Sequence, residues 1–154
     1  MNILVFSDSH TTTTPMLEMI RTRTPDLILH LGDHDRDTKA IARAFPQIPL
    51  RVVQGNCDFG QKHPLLDDFI VADCRIIMTH GHRYNVKLTY DSILNMGHVA
   101  GADILLFGHT HIAYYEQIGD MHVLNPGSAG MGGRKSCGLI QITDGEIRCA
   151  HLPL

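Results

Sequence analysis

Five times along the chain a short apolar run breaks off into a small polar cluster. Ile3–Phe6 runs into Ser7-Asp8-Ser9-His10, and Leu27–Leu31 into Gly32-Asp33. Leu50–Val53 leads to Gly55-Asn56-Cys57-Asp58, Arg75–Met78 to Thr79-His80-Gly81-His82, and Ile104–Phe107 to Gly108-His109-Thr110-His111. Runs of four or five residues rich in Ile, Leu and Val read as strands buried on both faces. Helical signals separate the first three. Thr14-Pro15 reads as an N-cap with Pro at the first helical position, opening a helix of about ten residues that packs Leu17 and Ile20 and stops at Pro25. A second helix carries Ala40, Ile41, Ala44 and Phe45 inward and ends at Pro46. Strand, loop and helix in alternation favour parallel strands with crossover helices, an α/β class.

The second half is less regular. Phe69–Ala72 and Arg75–Met78 read as a hairpin around Asp73-Cys74. A third helix is expected over about 87–99, with Leu88, Ile93, Leu94 and Val99 inward. Ala113–Ile118 and Met121–Leu124 flank Gly119-Asp120, and Gly138–Thr143 and Ile147–His151 flank Asp144-Gly145, a strong hairpin signal. Asn125-Pro126-Gly127-Ser128 and Gly130–Gly133 read as loop. No repeat or linker divides the 154 residues, so one domain over 1–154 is expected.

Hydrophobic residues make up 44% and charged residues 19%, which excludes disorder of the whole chain. A formal net charge of -3 excludes a generally basic nucleic-acid or membrane binder. The four Cys (57, 74, 137 and 149) lack zinc-knuckle spacing and are too sparse for a disulfide framework, so they are expected reduced. No signal peptide and no membrane-length apolar segment is visible, which favours the cytoplasm. Eleven His residues are the abnormal figure, and imidazole is the commonest transition-metal ligand.

In open α/β sheets, ligands bind outside the carboxyl ends of the strands. Five such ends converging would gather Asp8, His10, Asp33, Asn56, His80, His109 and His111. On extended backbone, Asp8-x-His10 and His109-x-His111 would each put both side chains on one side and pinch an ion. Mixed carboxylate and imidazole ligation suits Zn, Mn or Fe. Seven ligands exceed one tetrahedral ion and suffice for two if an Asp bridges; two ions ~3.5–4 Å apart can clamp an in-line phosphoryl displacement. His30 reads as a satisfied strand histidine; His34, His63, His98, His122 and His151 read as surface or supporting residues. Asp35 and Asp37 read as a solvated helix start suited to the dipole.

Asp-x-His, Gly-Asp, Gly-Asn, His then Gly, and Gly-His-x-His, in this order, resemble the calcineurin-like metallophosphoesterase superfamily. The compact spacing is most similar to its small bacterial and archaeal phosphodiesterase branch. The resemblance covers residues 2 to about 128. It implies a four-layer αββα sandwich, two mixed β-sheets flanked by helices. It further implies that Asp8, His10 and His111 hold one divalent ion, that Asn56, His80 and His109 hold another, and that Asp33 bridges them. Mn is the first expectation, with Ni, Zn, Fe or Mg as alternatives. Hydroxide held by the two ions would attack the phosphorus of a small phosphodiester.

The family's Gly-Asn-His-Asp/Glu motif departs here to Gly55-Asn56-Cys57-Asp58. That His assists the leaving group and the following acid orients it. A thiol has a reference pKa near ~8.5 and is a weak donor, so Cys57 is a poorer acid. His82 takes part of that role or is a supporting residue; both readings stay open. Two rival functions remain: an interaction scaffold on the same fold, as in a eukaryotic trafficking-complex subunit with an eroded metal site, and a nuclease. The seven intact ligand positions weigh against the first. The missing basic stripe weighs against the second and against stable nucleic-acid binding. Ser128 and Arg134 either touch phosphate or sit in a solvated turn. The physiological substrate and any homo-oligomer are left open.

Overall fold

The computed structural model describes residues 1–60 and 63–154. One sheet contains β1 (Asn2–Phe6), β2 (Leu27–His30), β3 (Leu50–Val52), β9 (Ser136–Thr143) and β10 (Glu146–Pro153), in the order β10-β9-β1-β2-β3. The other contains β4 (Leu66–Val71), β5 (Cys74–Thr79), β6 (Ile104–Leu106), β7 (Ala113–Ile118) and β8 (Met121–Pro126), in the order β4-β5-β6-β8-β7. Within the first, β1, β2 and β3 are parallel; within the second, β5, β6 and β8 are parallel. Both sheets are therefore mixed, and helices flank them in the expected αββα arrangement.

The uninterrupted apolar runs follow from this layering. Ile3 and Val5, Leu27 and Leu29, Ile76 and Met78, Ile104 and Leu106 pack into one core with Leu124 and Ile140. The alternate residues Leu4, Phe6 and Ile28 pack against Met16 and Ile20 of α1 (Thr14–Arg23) and Ile41 of α2 (Thr38–Ala44). Ile77, Leu105 and Phe107 pack with Ile93 of α3 (Asp91–Ala100). Strand side chains alternate between faces, and each face here is covered. Burying one such Leu or Ile contributes about 1.5–3 kcal/mol relative to leaving it in water.

The helices are where expectation and structure part. The residue before α1 is Thr13, which makes no side-chain cap bond; Met16 and Ile20 are fully buried, and Leu17 packs half-buried against the same cluster. Ala44 is exposed, and Ile41 alone of the expected α2 set is fully buried. The third helix begins at Asp91, after a 3₁₀ turn at His82–Tyr84. Leu88 is 86% exposed and Val99 77% exposed. The inward face of α3 is set by Ile93 and by Gly97, whose absent side chain admits Leu105 and Met121.

The β4–β5 turn is Ala72-Asp73, one residue earlier than expected, with φ of 48° and 62°. Cys74 is already in the ladder, opposite Val71. A two-residue hairpin turn of this kind needs positive φ at both central residues. Asn125 and Pro126 end β8 rather than lying in a loop. Among the described residues no helix is long and apolar enough to cross a membrane.

Candidate metal centre

The carboxyl ends of β1, β2, β3, β5 and β6 deliver the five polar clusters to one place. Backbone bonds fix their relative positions. Leu31 N–H donates to the Phe6 carbonyl at 2.8 Å, and Asp8 N–H to the Gly32 carbonyl at 2.9 Å. Across the two sheets, His109 N–H donates to Asp8 Oδ2 at 3.1 Å. Gly108 makes this approach possible, because a Cβ there would collide with the Ser7 hydroxyl.

Asp8, His10, Asp33, His109 and His111 all have left-handed backbone, with φ of 55°, 43°, 58°, 69° and 61°. The expected extended conformation for Asp8-x-His10 and His109-x-His111 is thus incorrect. The strands end at Phe6 and Leu106, and the chain turns sharply to aim these side chains. Each such residue costs about 1–2 kcal/mol. Strain of this kind gathers at functional sites where surrounding structure holds it.

The turns sort the side chains into two groups. Asp8, His10 and His111 bring ligand atoms within 4.8 Å of one another, and so do Asp33, His80 and His109. His109 and His111 therefore do not pinch one ion together; they part between the groups. His80 Nε2 is central to the second. It lies 3.1 Å from Asn56 Oδ1, 3.1 Å from His109 Nδ1, 3.5 Å from Asp33 Oδ2 and 3.9 Å from Asp8 Oδ1. Its Nδ1 faces the Leu31 carbonyl at 2.8 Å, which sets the ring's orientation. A second hydrogen bond of this type is how metal-ligating histidines are commonly aimed.

The electrostatics favour deprotonated ligands. Burial would raise the Asp8 carboxyl, but the close His111 imidazole, the charge of His80 and the Ser7 hydroxyl hold it below its ordinary value. Burial likewise opposes ionisation of Asp33, and the His80 contact and the Cys57 N–H outweigh it. Burial, His80 and Lys87 push His109 down to about 4, and burial lowers His10 and His82. His80 is the exception: burial lowers it, but Asp33 and Asp8 pull it above its ordinary value.

Two buried atoms test whether this donor set fits a cation. Asp8 Oδ1 and His10 Nε2 have no hydrogen-bond partner among the described residues. His111 Nε2 lies 3.1 Å from Asp8 Oδ1 without bonding geometry. Buried polar atoms left unpaired are costly, and lone pairs crowded together are stabilised by a cation between them. Carboxylate and imidazole donors are also the set that divalent transition metals take. The residues fit divalent metal.

Other expectations come out differently. Asp58 is buried, and its carboxylate accepts from the backbone N–H groups of Asp33 (2.9 Å), Asp35 (2.9 Å) and Gly55 (2.8 Å). It pins two site loops together; in these contacts it does not orient the residue-57 side chain. Cys57 is exposed, its sulfur 3.3 Å from Asn56 Nδ2, and desolvation together with the Asp33 carboxylate pushes its thiol up to about 11. His82 is half-buried, its ring 5.4 Å from that of His80.

Asp35 is not solvated. It is 2% exposed, its carboxylate oxygens accept no hydrogen bond although His63 Nε2 lies 3.9 Å from Oδ2, and burial and Asp58 raise its pKa. The bond from its N–H to Asp58 draws it inward. Asp37 accepts from the Ser9 hydroxyl at 2.7 Å and Thr11 N–H at 2.8 Å. Ser128 is fully buried and donates to the Asp8 carbonyl at 2.8 Å, so it is unavailable to phosphate. Arg134 is exposed. His30 is satisfied as expected, between Ser9 Oγ and Gly32 N–H. His122 is buried, its Nδ1 2.9 Å from the Tyr115 hydroxyl. Ser7, Ser9 and Asn125 went unread in the sequence, and single polar residues in loops and strands carry no signal there. Asn125 Nδ2 donates to the Gly108 carbonyl and to Thr110 Oγ1, both at 3.0 Å, and so sets the Gly108–His111 turn.

A model of the calcineurin-like phosphoesterase superfamily domain matches residues 1–145. The probable metallophosphoesterase YsnB of Bacillus subtilis is 35% identical over 132 residues, covering 83% of this chain and 75% of that protein. A phosphodiesterase of Methanocaldococcus jannaschii is 26% identical over 148 residues, covering 82% and 83%. Among solved structures, a conserved protein of Streptococcus pneumoniae described as a predicted phosphoesterase superimposes with a TM-score of 0.82. It shares 26% identity, over 99% of this chain and 88% of that one.

Proposed function

The chain belongs to the calcineurin-like phosphoesterase superfamily and is a metal-dependent hydrolase of that family, and from this premise we propose that it hydrolyses phosphodiesters at a two-ion site. In this reading Asp8, His10 and His111 hold one ion, Asn56, His80 and His109 hold the other, and Asp33 is shared. The observation that carries it is the paired grouping Asp8/His10/His111 and Asp33/His80/His109, with unpaired Asp8 Oδ1 and His10 Nε2 in the first. Divalent ions there supply Lewis acidity toward phosphoryl oxygen and lower the pKa of water. A scaffold role would leave those unpaired atoms without purpose.

The chain's own residues position and hold protons. Asp33 reaches toward His80 with Oδ2 and is steadied at Oδ1 by Cys57 N–H. Asp58 keeps the Gly32-Asp33 and Gly55-Asn56 loops in register. In the metal-free protein, desolvation and the Asp33 carboxylate push the Cys57 thiol up. It offers the leaving group a weak donor, so substrates whose leaving group needs little protonation are favoured. His82 is the other candidate donor, beside His80. The diester preference draws support from the phosphodiesterase relative.

The test is a panel of chromogenic mono- and diesters with Mn, Ni, Zn, Fe and Mg, alongside elemental analysis. Diester turnover with close to two metal equivalents per chain is expected. Full activity at one equivalent would remove the shared role of Asp33. Turnover of monoesters alone would overturn the diester reading.

A further inference from the structure

A cavity of about 450 Å³ opens beside His111. That volume lies in the range of small-ligand pockets. Residues at the start of β7, in the loop before β9 and at the end of β10 line it. Ile112, Leu152 and Pro153 give it an apolar surface, and Arg134 and Lys135 give it two cations; no carboxylate lines it. Ile112 is 65% exposed. Among the described residues, Arg51, Arg75 and Arg148 are in ion pairs and Arg134 is not.

The lining is tied to the metal-centre residues. His111 is itself part of the lining, and the lining residue Ser136 donates its N–H to the Ser128 carbonyl at 3.0 Å while Ser128 Oγ donates to the Asp8 carbonyl at 2.8 Å. Leu154 N–H donates to the Lys135 carbonyl at 3.1 Å, joining the loop to the end of β10. A ligand seated here therefore sits at a fixed offset from Asp8 and His111.

We propose that this cavity is the subsite for one ester arm of the substrate, an organic group with an apolar body and a second anionic group such as a further phosphate. The body covers Ile112, Leu152 and Pro153, and the anion pairs with Arg134 and Lys135. Arginine and lysine are the side chains suited to phosphate, and their bonds to it are charge-assisted. Aliphatic surface beside the cations fits an alcohol or nucleoside arm better than inorganic phosphate alone. This inference rests on the phosphodiester reading and adds what the second arm carries.

Three esters that release the same nitrophenolate test it: methyl p-nitrophenyl phosphate, p-nitrophenyl thymidine 5′-phosphate, and the latter with a 3′-phosphate. On the Mn-loaded protein, kcat/KM should rise from the methyl to the thymidine ester. The 3′-phosphate should add roughly tenfold, mostly in KM, as one or two charge-assisted bonds provide. Arg134→Ala with Lys135→Ala should erase that last increment and keep methyl ester turnover. Ala113→Trp, at an exposed lining position, should erase both increments. In calorimetry, thymidine 3′,5′-bisphosphate should bind about tenfold tighter than thymidine 5′-monophosphate, and the double variant should lose the difference. Equal kcat/KM for the three esters, or a 3′-phosphate increment that survives the double substitution, overturns the subsite. If all three esters stay intact, the diesterase reading falls by itself; the calorimetric comparison then decides the subsite, and equal affinities overturn it.

Discussion

Cys57 follows the proposed ligand Asn56, and in the phosphodiesterase reading a thiol at this place limits leaving-group assistance. A thiol is a weak hydrogen-bond donor, so the side chain gives the leaving group little help. Nitrophenyl diesters should turn over well and alkyl diesters with basic leaving groups much more slowly. Cys57→Ala should cost about tenfold or less on nitrophenyl substrates, since full general-acid catalysis is worth ~10²–10⁴-fold. Cys57→His should help alkyl esters most. A leaving-group series on wild type and both variants reads this out; a thousandfold loss in Cys57→Ala with metals retained would give Cys57 another role. A second contrast separates ligands from core histidines. Asp33→Asn should abolish turnover in a folded protein, whereas His30→Gln should keep turnover and lose stability. His30 is fully buried, and desolvation pushes it down to about 4, against an ordinary 6.5. Its folded pKa is depressed, so stability is full above about pH 6.5 and falls as pH drops toward 4, by on the order of 3 kcal/mol. Denaturation midpoints measured from pH 7 to 4 should show a shallower fall in His30→Gln than in wild type.

The connections at the strand ends decide whether those side chains meet. Gly108 lets the end of β6 lie against Ser7 and Asp8. Gly108→Ala should push that turn away, take His109 N–H off Asp8 and weaken Mn binding by about 10–100-fold, the usual scale for a lost supporting contact. Gly133→Ala, where a Cβ meets nothing within 4 Å, should leave Mn affinity unchanged. Mn titration of both variants distinguishes the two; equal effects would remove the packing argument. The same elements mark what sequence could reveal. The double-faced strands were legible because their apolar runs are unbroken, and the Asp, Asn and His at their ends because such residues are rare there by chance. The inward faces of α2 and α3 were not, since one or two contacts such as Ile41 or Gly97 set them. Asp35, Ser128 and Asn125 were not legible either. What they do depends on backbone groups brought to them by the fold; Ser128 and Asp8 lie 120 residues apart.

At the scale of the molecule, each candidate ligand group takes residues from both sheets. Asp8 and His10 follow β1, and His111 follows β6; Asp33 follows β2, and His80 and His109 follow β5 and β6. Ions bound there would join the two sheets at one end, beyond the apolar core. Mn should therefore raise the thermal midpoint, by the equivalent of ~2.7 kcal/mol per site at a hundredfold excess over Kd. Chelation should reverse it, and Asp33→Asn should blunt it. A midpoint insensitive to Mn in the wild type would contradict ligation across the sheets.

Five of the seven proposed ligands sit on left-handed backbone, and that limits how such a site can change over generations. Asp, Asn and His are the residues that tolerate positive φ best after glycine. They are also metal donors of graded hardness. Random substitution at positions 8, 10, 33, 109 and 111 is thus filtered twice, by the chain's torsion and by the ion's chemistry, and Asp, Asn and His are the residues that satisfy both. Exchanges among those three can retune metal preference with little conformational penalty. A drift toward thiolate or Glu ligation would meet backbone resistance before metal selectivity came into play. The turn geometry acts as an inherited alphabet for the site, narrow in letters and permissive in their order.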